Sequence, residues 1–138
     1  MATRSRIGIL NEDGSITSIY CHWDGYPAHN GRILKEHYGT ETSVREMLSL
    51  GDLSSLRPNL HPKGKHTFTD PEDGCCVFYG RDRGESDCDA SESIDLQEFM
   101  FISEPCDYVY VFDANEWFCT SLYGGDRKMV RIEEMMEK

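Results

Sequence analysis

Two β-rich runs, each folded back on itself by a short turn, constrain this chain more than any other feature. Ser5 to Leu10 alternates, with Ile7 and Ile9 on one side, and meets the cluster Asn11-Glu12-Asp13-Gly14. The run from Ser15 to Trp23 then resumes strand chemistry with Ile16, Thr17, Ile19 and Tyr20. β-branched and aromatic residues on both sides of an Asp-Gly pair predict a hairpin, because that pair accepts the positive φ of a tight return. The pattern recurs in the last third: Asp107-Tyr-Val-Tyr-Val-Phe-Asp113, the turn Asp113-Ala-Asn-Glu116, and a return over Trp117 to Tyr123. Side chains alternate across a strand, so Thr17, Ile19, Cys21 and Trp23 are expected in the core. Ile16, Ser18, Tyr20 and His22 fall on the other, partly wet face.

Helical signals lie between and after the hairpins. Asn30 is placed to cap a helix carrying Ile33, Leu34, His37 and Tyr38 on one stripe, ended by Gly39. Ser43-Val-Arg-Glu46 fits a capping box, followed by Val44, Met47 and Leu48 at helical spacing and by Gly51. Gly51-Asp-Leu-Ser-Ser-Leu56 is expected to tuck Leu53 and Leu56 under the domain. Residues 57–74 hold Pro58, Pro62, Gly64 and Pro71 with little apolar content, which predicts a long loop. Cys75 to Tyr79 is a short strand candidate, and 84–93 a second, acidic and Ser-rich loop. Ser93 is expected to cap a helix to about Met100 with Leu96, Phe99 and Met100 inward. Arg127 to Lys138 reads as a terminal amphipathic helix burying from Met129, Val130, Ile132 and Met136. The expected fold is one α+β domain over 1–138. It has a mainly antiparallel sheet of about five strands, from two hairpins plus a short strand, with three to four helices on one face.

Charge removes several functions. The 138 residues carry 25 acids against 14 Lys and Arg, a net charge of −11. Direct nucleic-acid binding is not expected, since it needs clustered cations to displace counterions. No run of about 18 apolar residues suggests a membrane span. Met1-Ala-Thr-Arg-Ser-Arg6 leads into no apolar stretch, so a secretion signal is not expected and the cytosol is the expected compartment. A reducing cytosol would keep Cys21, Cys75, Cys76, Cys88, Cys106 and Cys119 as free thiols.

Four constellations could carry chemistry. Cys21-His22-Trp23-Asp24 juxtaposes a thiol, an imidazole and a carboxylate, but strand neighbours face opposite ways, so Cys21 and His22 cannot act as nucleophile and base. The bland alternative is a core Cys beside a strand-edge His. A composite metal site from Cys75, Cys76, His61 and His66 lacks the paired spacing of zinc ligands, and no metal, cofactor or catalytic residue is assigned. Arg4-Ser-Arg6 and Arg81-Asp82-Arg83 could each present two guanidinium forks to a phosphate or carboxylate if extended. The alternative is ordinary pairing with Asp82, Glu85 or the acidic loop. Trp23, Tyr26 and Tyr20 beside Asp24 form an aromatic group of the kind enriched at interaction hot spots, and equally the corner of a core. No Walker loop, G-x-S-x-G or HExxH is present.

Thr3-Arg-Ser-Arg-Ile-Gly8, Asp13-Gly14 and Ile19-Tyr-Cys-His-Trp-Asp-Gly-Tyr-Pro27 together resemble a family of small proteins from bacteriophages, prophages and related mobile elements. Gly31 with His37-Tyr38, Gly51-Asp-Leu-Ser-Ser-Leu56, Tyr79-Gly-Arg-Asp-Arg-Gly-Glu85 and Tyr108-Val-Tyr-Val-Phe112 with Trp117 extend the likeness over most of the chain. Residues 86–106 do not share it. The resemblance implies context and no catalytic residue: accessory proteins of this kind bind and redirect a host component, including anti-restriction and anti-CRISPR factors. The expected function is therefore modulation of a host bacterial protein. The binding candidates are Arg4, Arg6, His22, Trp23, Asp24, Tyr26, Arg81, Asp82 and Arg83. A second reading is a sponge for an anionic small molecule, such as a nucleotide signal, on a converged arginine cluster, and a Cys/His enzyme is the weakest. Aromatic surplus on the C-terminal hairpin leaves a homodimer open.

Overall fold

The computed structural model of the chain describes residues 2–123, 125 and 127–136. Both hairpins form. Strand β1 (Ser5–Leu10) pairs antiparallel with β2 (Ile16–Cys21), and the Asp13 carboxylate fixes the turn by accepting the Ser15 amide at 2.9 Å. β6 (Tyr108–Asp113) pairs antiparallel with β7 (Glu116–Ser121). Ala114 and Asn115 turn between them at φ 50° and 63°, the twist a tight hairpin requires.

The hairpins join edge to edge through a parallel pairing of β1 with β6, from Ser5 opposite Tyr108 to Ile9 opposite Phe112. Short strands extend this centre: β3 (Leu53–Ser55), β4 (Val77–Phe78), β5 (Ser91–Ser93) and β8 (Val130–Arg131). The order is β4-β3-β2-β1-β6-β7-β8, and β5 pairs with β2 beside its Ile16 end. The sheet is thus mixed and eight-stranded, where a mainly antiparallel sheet of about five strands was expected. The added strands are two or three residues long, too short for a period-2 signal. One of them, β5, lies inside the expected 84–93 loop and buries Ser93.

Helices cover both faces, which corrects the one-face expectation. A π-helical turn (Pro27–Gly31) runs into α1 (Arg32–His37), and with α2 (Glu41–Ser49) and α5 (Ile132–Met136) it packs Leu34, Val44, Met47 and Ile132 on the main core. That core takes Ile7, Ile19, Cys21, Tyr110 and Trp117 from the sheet. On the opposite face α4 (Leu96–Ile102) seats Phe99 against Ile16, Val109 and Val111. Central β6 is apolar on both sides, with Tyr110 and Phe112 in the main core and Val109 and Val111 under α4, as two-sided burial demands. Trp23, expected in the core, is 43% exposed because the strand has ended before it.

Several caps shift. Thr40, not Ser43, caps α2, and its hydroxyl and that of Ser43 complete a capping box. Asp95 rather than Ser93 caps α4, accepting the Glu98 amide at 2.9 Å, so the helix starts later and leaves Leu96 outward. Asn30 caps nothing and is buried inside the π-helical turn. The terminal helix is shorter than expected, since Val130 and Arg131 pair with β7 first; the last two residues of the expected span, 137 and 138, lie outside the described residues. Met136 is exposed and Ile132 alone of α5 is fully buried.

Candidate functional site

The segment 21–31 is a rigid corner. The Asn30 side-chain amide donates toward Trp23 O at 3.3 Å, Ser5 Oγ at 3.4 Å and Cys21 Sγ at 3.4 Å. Tyr110 Oη donates to Gly25 O at 2.7 Å, and the Gly25 amide donates to Thr3 O at 2.8 Å. Gly25 is required here: a Cβ would stand 2.8 Å from Ser5 Cβ and 2.9 Å from Thr3 O. Asp24 takes the left-handed conformation at φ 56°, and Tyr26 stands half-exposed with its ring near His29. Cys21 is wholly buried, and burial pushes its thiol up to about 12. It sits on the main-core face while His22 points to the other side, so the two do not meet, as the strand alternation requires.

His22 belongs instead to a polar group on the opposite face. Its Nδ1 pairs with Tyr20 Oη at 2.7 Å, and its ring meets the Trp23 ring edge-on at 4.7 Å. Arg6, opposite Tyr20 in the ladder, donates from Nε to Ser18 Oγ and from Nη2 to Ser91 Oγ, both at 3.0 Å. Asp52 accepts the Tyr20 amide at 2.9 Å, and burial raises its carboxyl above the ordinary value. Partial burial, then the charge of Arg4, lowers the His22 pKa. Burial raises the Tyr20 phenol to about 12 despite Arg4, and the Cys106 thiol to about 11 despite Arg6. Arg4, Arg6, His22 and Trp23 are thereby gathered. Tyr20, Asp52, Ser91 and Cys106 join them; of these only Tyr20 was legible, as a residue sharing the strand face of His22.

Arg81, Asp82 and Arg83 form another group. They lie in α3 (Tyr79–Arg83), not at a strand mouth, so the two arginines are two residues apart on a helix and do not project together. Arg81 donates to Leu60 O, to Cys76 O and to both Asp82 oxygens, and lies over the Phe78 ring. Asp82 accepts the Phe78 amide at 2.8 Å, and buried His66 Nε2 stands 3.2 Å from it at an angle too poor for a hydrogen bond. His66 Nδ1 accepts the Glu72 amide at 2.9 Å, which sets the proton on Nε2. This network fastens the 57–74 loop to α3. Arg83 reaches outward over Phe68 and toward Glu85. A four-arginine pocket is therefore not formed.

An apolar furrow of about 310 Å³ opens beside α4, lined by Leu10, Leu96, Val111, Phe118 and Met129. Ile94 and Phe101, both 74% exposed, flank a second hollow with Asp95 and Glu98. Sequence reasoning missed this surface because Leu96 fits an inward helix stripe equally well. Among the described residues, no three His, Cys, Asp or Glu side chains are placed to hold a metal. The six cysteines are free thiols, five of them buried. No described helix is long and apolar enough to cross a membrane. No family model, curated protein or solved structure matches this chain.

Proposed function

We propose that the protein acts by docking on a host bacterial protein in the bacterial cytoplasm, as a phage-encoded accessory factor that blunts host defence would. The observation that supports this most is the furrow beside α4. Its floor is apolar, Leu96 is 45% exposed at its rim, and Ile94 and Phe101 continue the apolar surface along the same segment. Large apolar side chains grouped in this way on a surface mark interaction sites more often than accident. Asp95, Glu98 and Asp113 stand around the hollows, and the chain carries −11 overall. An acidic rim selects a partner whose apolar side chain is flanked by Lys or Arg.

The test compares tagged wild type with Leu96→Asp/Phe101→Asp, both purified gently from bacterial cells and weighed by native mass spectrometry. Wild type is expected to retain a host polypeptide that the double variant loses, with unchanged thermal melting. Cells expressing wild type, and not the variant, are then expected to plate phage better when they carry the defence component so identified. Retention of the same polypeptides by both forms would sink the reading. A mass of two copies that the variant reduces to one would replace the host partner by self-association.

A further inference from the structure

Charges withdrawn from water are normally paired. In this protein Arg45, Arg81, Arg83, Arg127 and Arg131 each meet a carboxylate. Arg6 does not. Its guanidinium is part-buried, yet its two hydrogen bonds run to the neutral hydroxyls of Ser18 and Ser91. Asp52, the acid closest in effect, turns its carboxyl to the Tyr20 amide and makes no ion pair with Arg6. Arg4, two residues earlier on the same face, is exposed, and among the described residues its guanidinium takes neither a hydrogen bond nor an ion pair. Two cationic forks therefore stand at one end of the sheet with donor capacity in hand.

The wall beside them is aromatic. His22 is held by Tyr20 Oη at 2.7 Å and its ring meets that of Trp23, a residue 43% exposed. Arg4 precedes Ser5, the residue that pairs with Cys21, so it stands at the end of β1 beside the point where the chain leaves β2 for His22 and Trp23, and its charge lowers the pKa values of both Tyr20 and His22. Paired guanidiniums suit the several oxygens of a phosphoryl group, and an exposed indole offers a face on which a base can stack.

We propose that Arg4, Arg6 and Trp23 form a receptor for a nucleotide, its phosphoryl group against the two guanidiniums and its base against the indole. Tyr20 and His22 supply polar atoms between the two halves. The overall charge of −11 repels a long polyanion while this local corner takes a small one, so the ligand is a free nucleotide and not a nucleic-acid strand. The site is distinct from the furrow beside α4, so either can fail without the other.

Binding is read by calorimetry and by tryptophan emission, using the four 5′-ribonucleoside monophosphates, adenosine and inorganic phosphate as probes. Of the two tryptophans, Trp117 is buried with its indole N–H on Tyr38 O, so a change in emission reports Trp23. At least one nucleotide is expected to bind saturably and shift that emission. Arg4→Gln is expected to weaken it about tenfold to a hundredfold, the loss of a charge-assisted hydrogen bond. Trp23→Leu is expected to weaken nucleotide binding and leave phosphate binding unchanged. Arg6→Gln is checked by circular dichroism before use, and Arg4→Gln, at an exposed position, carries the test by itself if that variant unfolds. Absence of saturable nucleotide binding, equal affinity for nucleotide and inorganic phosphate, or indifference to Arg4→Gln would each overturn the proposal.

Discussion

Arg4-Ser-Arg6 and Arg81-Asp82-Arg83 share one spacing and come to opposite ends. In the first, extended backbone puts both guanidiniums on one face, next to Tyr20 and His22, and no acid pairs with them among the described residues. In the second, a single helical turn sends the arginines apart, and Arg81 is wholly engaged in binding the 57–74 loop to α3. One pair keeps its donors for something outside the chain; the other holds the chain together. A motif of two cations is thus a statement about charge, and the backbone beneath it decides whether the charge is structural or available.

The contrast can be broken by stability measurements. Arg81→Met leaves Asp82, whose side chain is 5% exposed, without its cation and strips two carbonyls of their donor. Urea denaturation is expected to show a loss of about 3 kcal/mol, as for other buried pairs cut on one side. Arg4→Met is expected to stay within about 0.5 kcal/mol of wild type. Equal losses would erase the distinction.

Thiol labelling extends the same comparison. Burial raises the pKa of Cys75, Cys76 and Cys106, so all three are expected to label slowly in the native protein, behind part-exposed Cys88. Loosening α3 by Arg81→Met is expected to speed Cys75 and Cys76 up to about a hundredfold, if labelling follows local opening, and Arg4→Met to leave Cys106 unchanged. A uniform acceleration of all three would mean that the loop and the sheet open as one unit.

Acid gives a smaller effect with a definite sign. Burial alone would raise the Asp82 carboxyl, but Arg81 and the Phe78 amide outweigh it and hold its pKa below the ordinary 3.8. A depressed folded value adds stability that is present above the unfolded pKa and lost as pH falls through the folded one. The stability gap between wild type and Asp82→Asn is therefore expected to be full above about pH 5 and to narrow below about pH 4, followed by urea midpoints. A gap that widens in acid would reverse the assignment. The smallest change is expected for Arg83→Ala, under about 0.5 kcal/mol, since its contacts with Phe68 and Glu85 are at the surface.

Much of the site's raw material was legible. Period-2 alternation put Tyr20 and His22 on one face of the second strand and Cys21 on the other, as found, and let Arg4 and Arg6 project together from the first. Nothing local could show that Ser91 would reach Arg6, because β5 is a three-residue strand in an acidic stretch and pairs across a separation of many residues. Nor could it show Arg81 on a helix: Tyr79-Gly-Arg-Asp-Arg has no apolar stripe, and the turn is fixed by Asp82 accepting the Phe78 amide.

The sequence by itself determined the hairpins, the α+β class, and the alternation of Ile19 and Cys21 with Tyr20 along β2. These follow from turn chemistry and side-chain periods that act within a few residues. Tertiary structure decided the rest. The parallel join of β1 to β6, the passage of α4 to the far face and the engagement of Arg81 each depend on backbone groups far apart in the chain finding one another. Such pairings carry no local pattern, because every residue offers the same amide and carbonyl, and only the packed whole selects which of them meet.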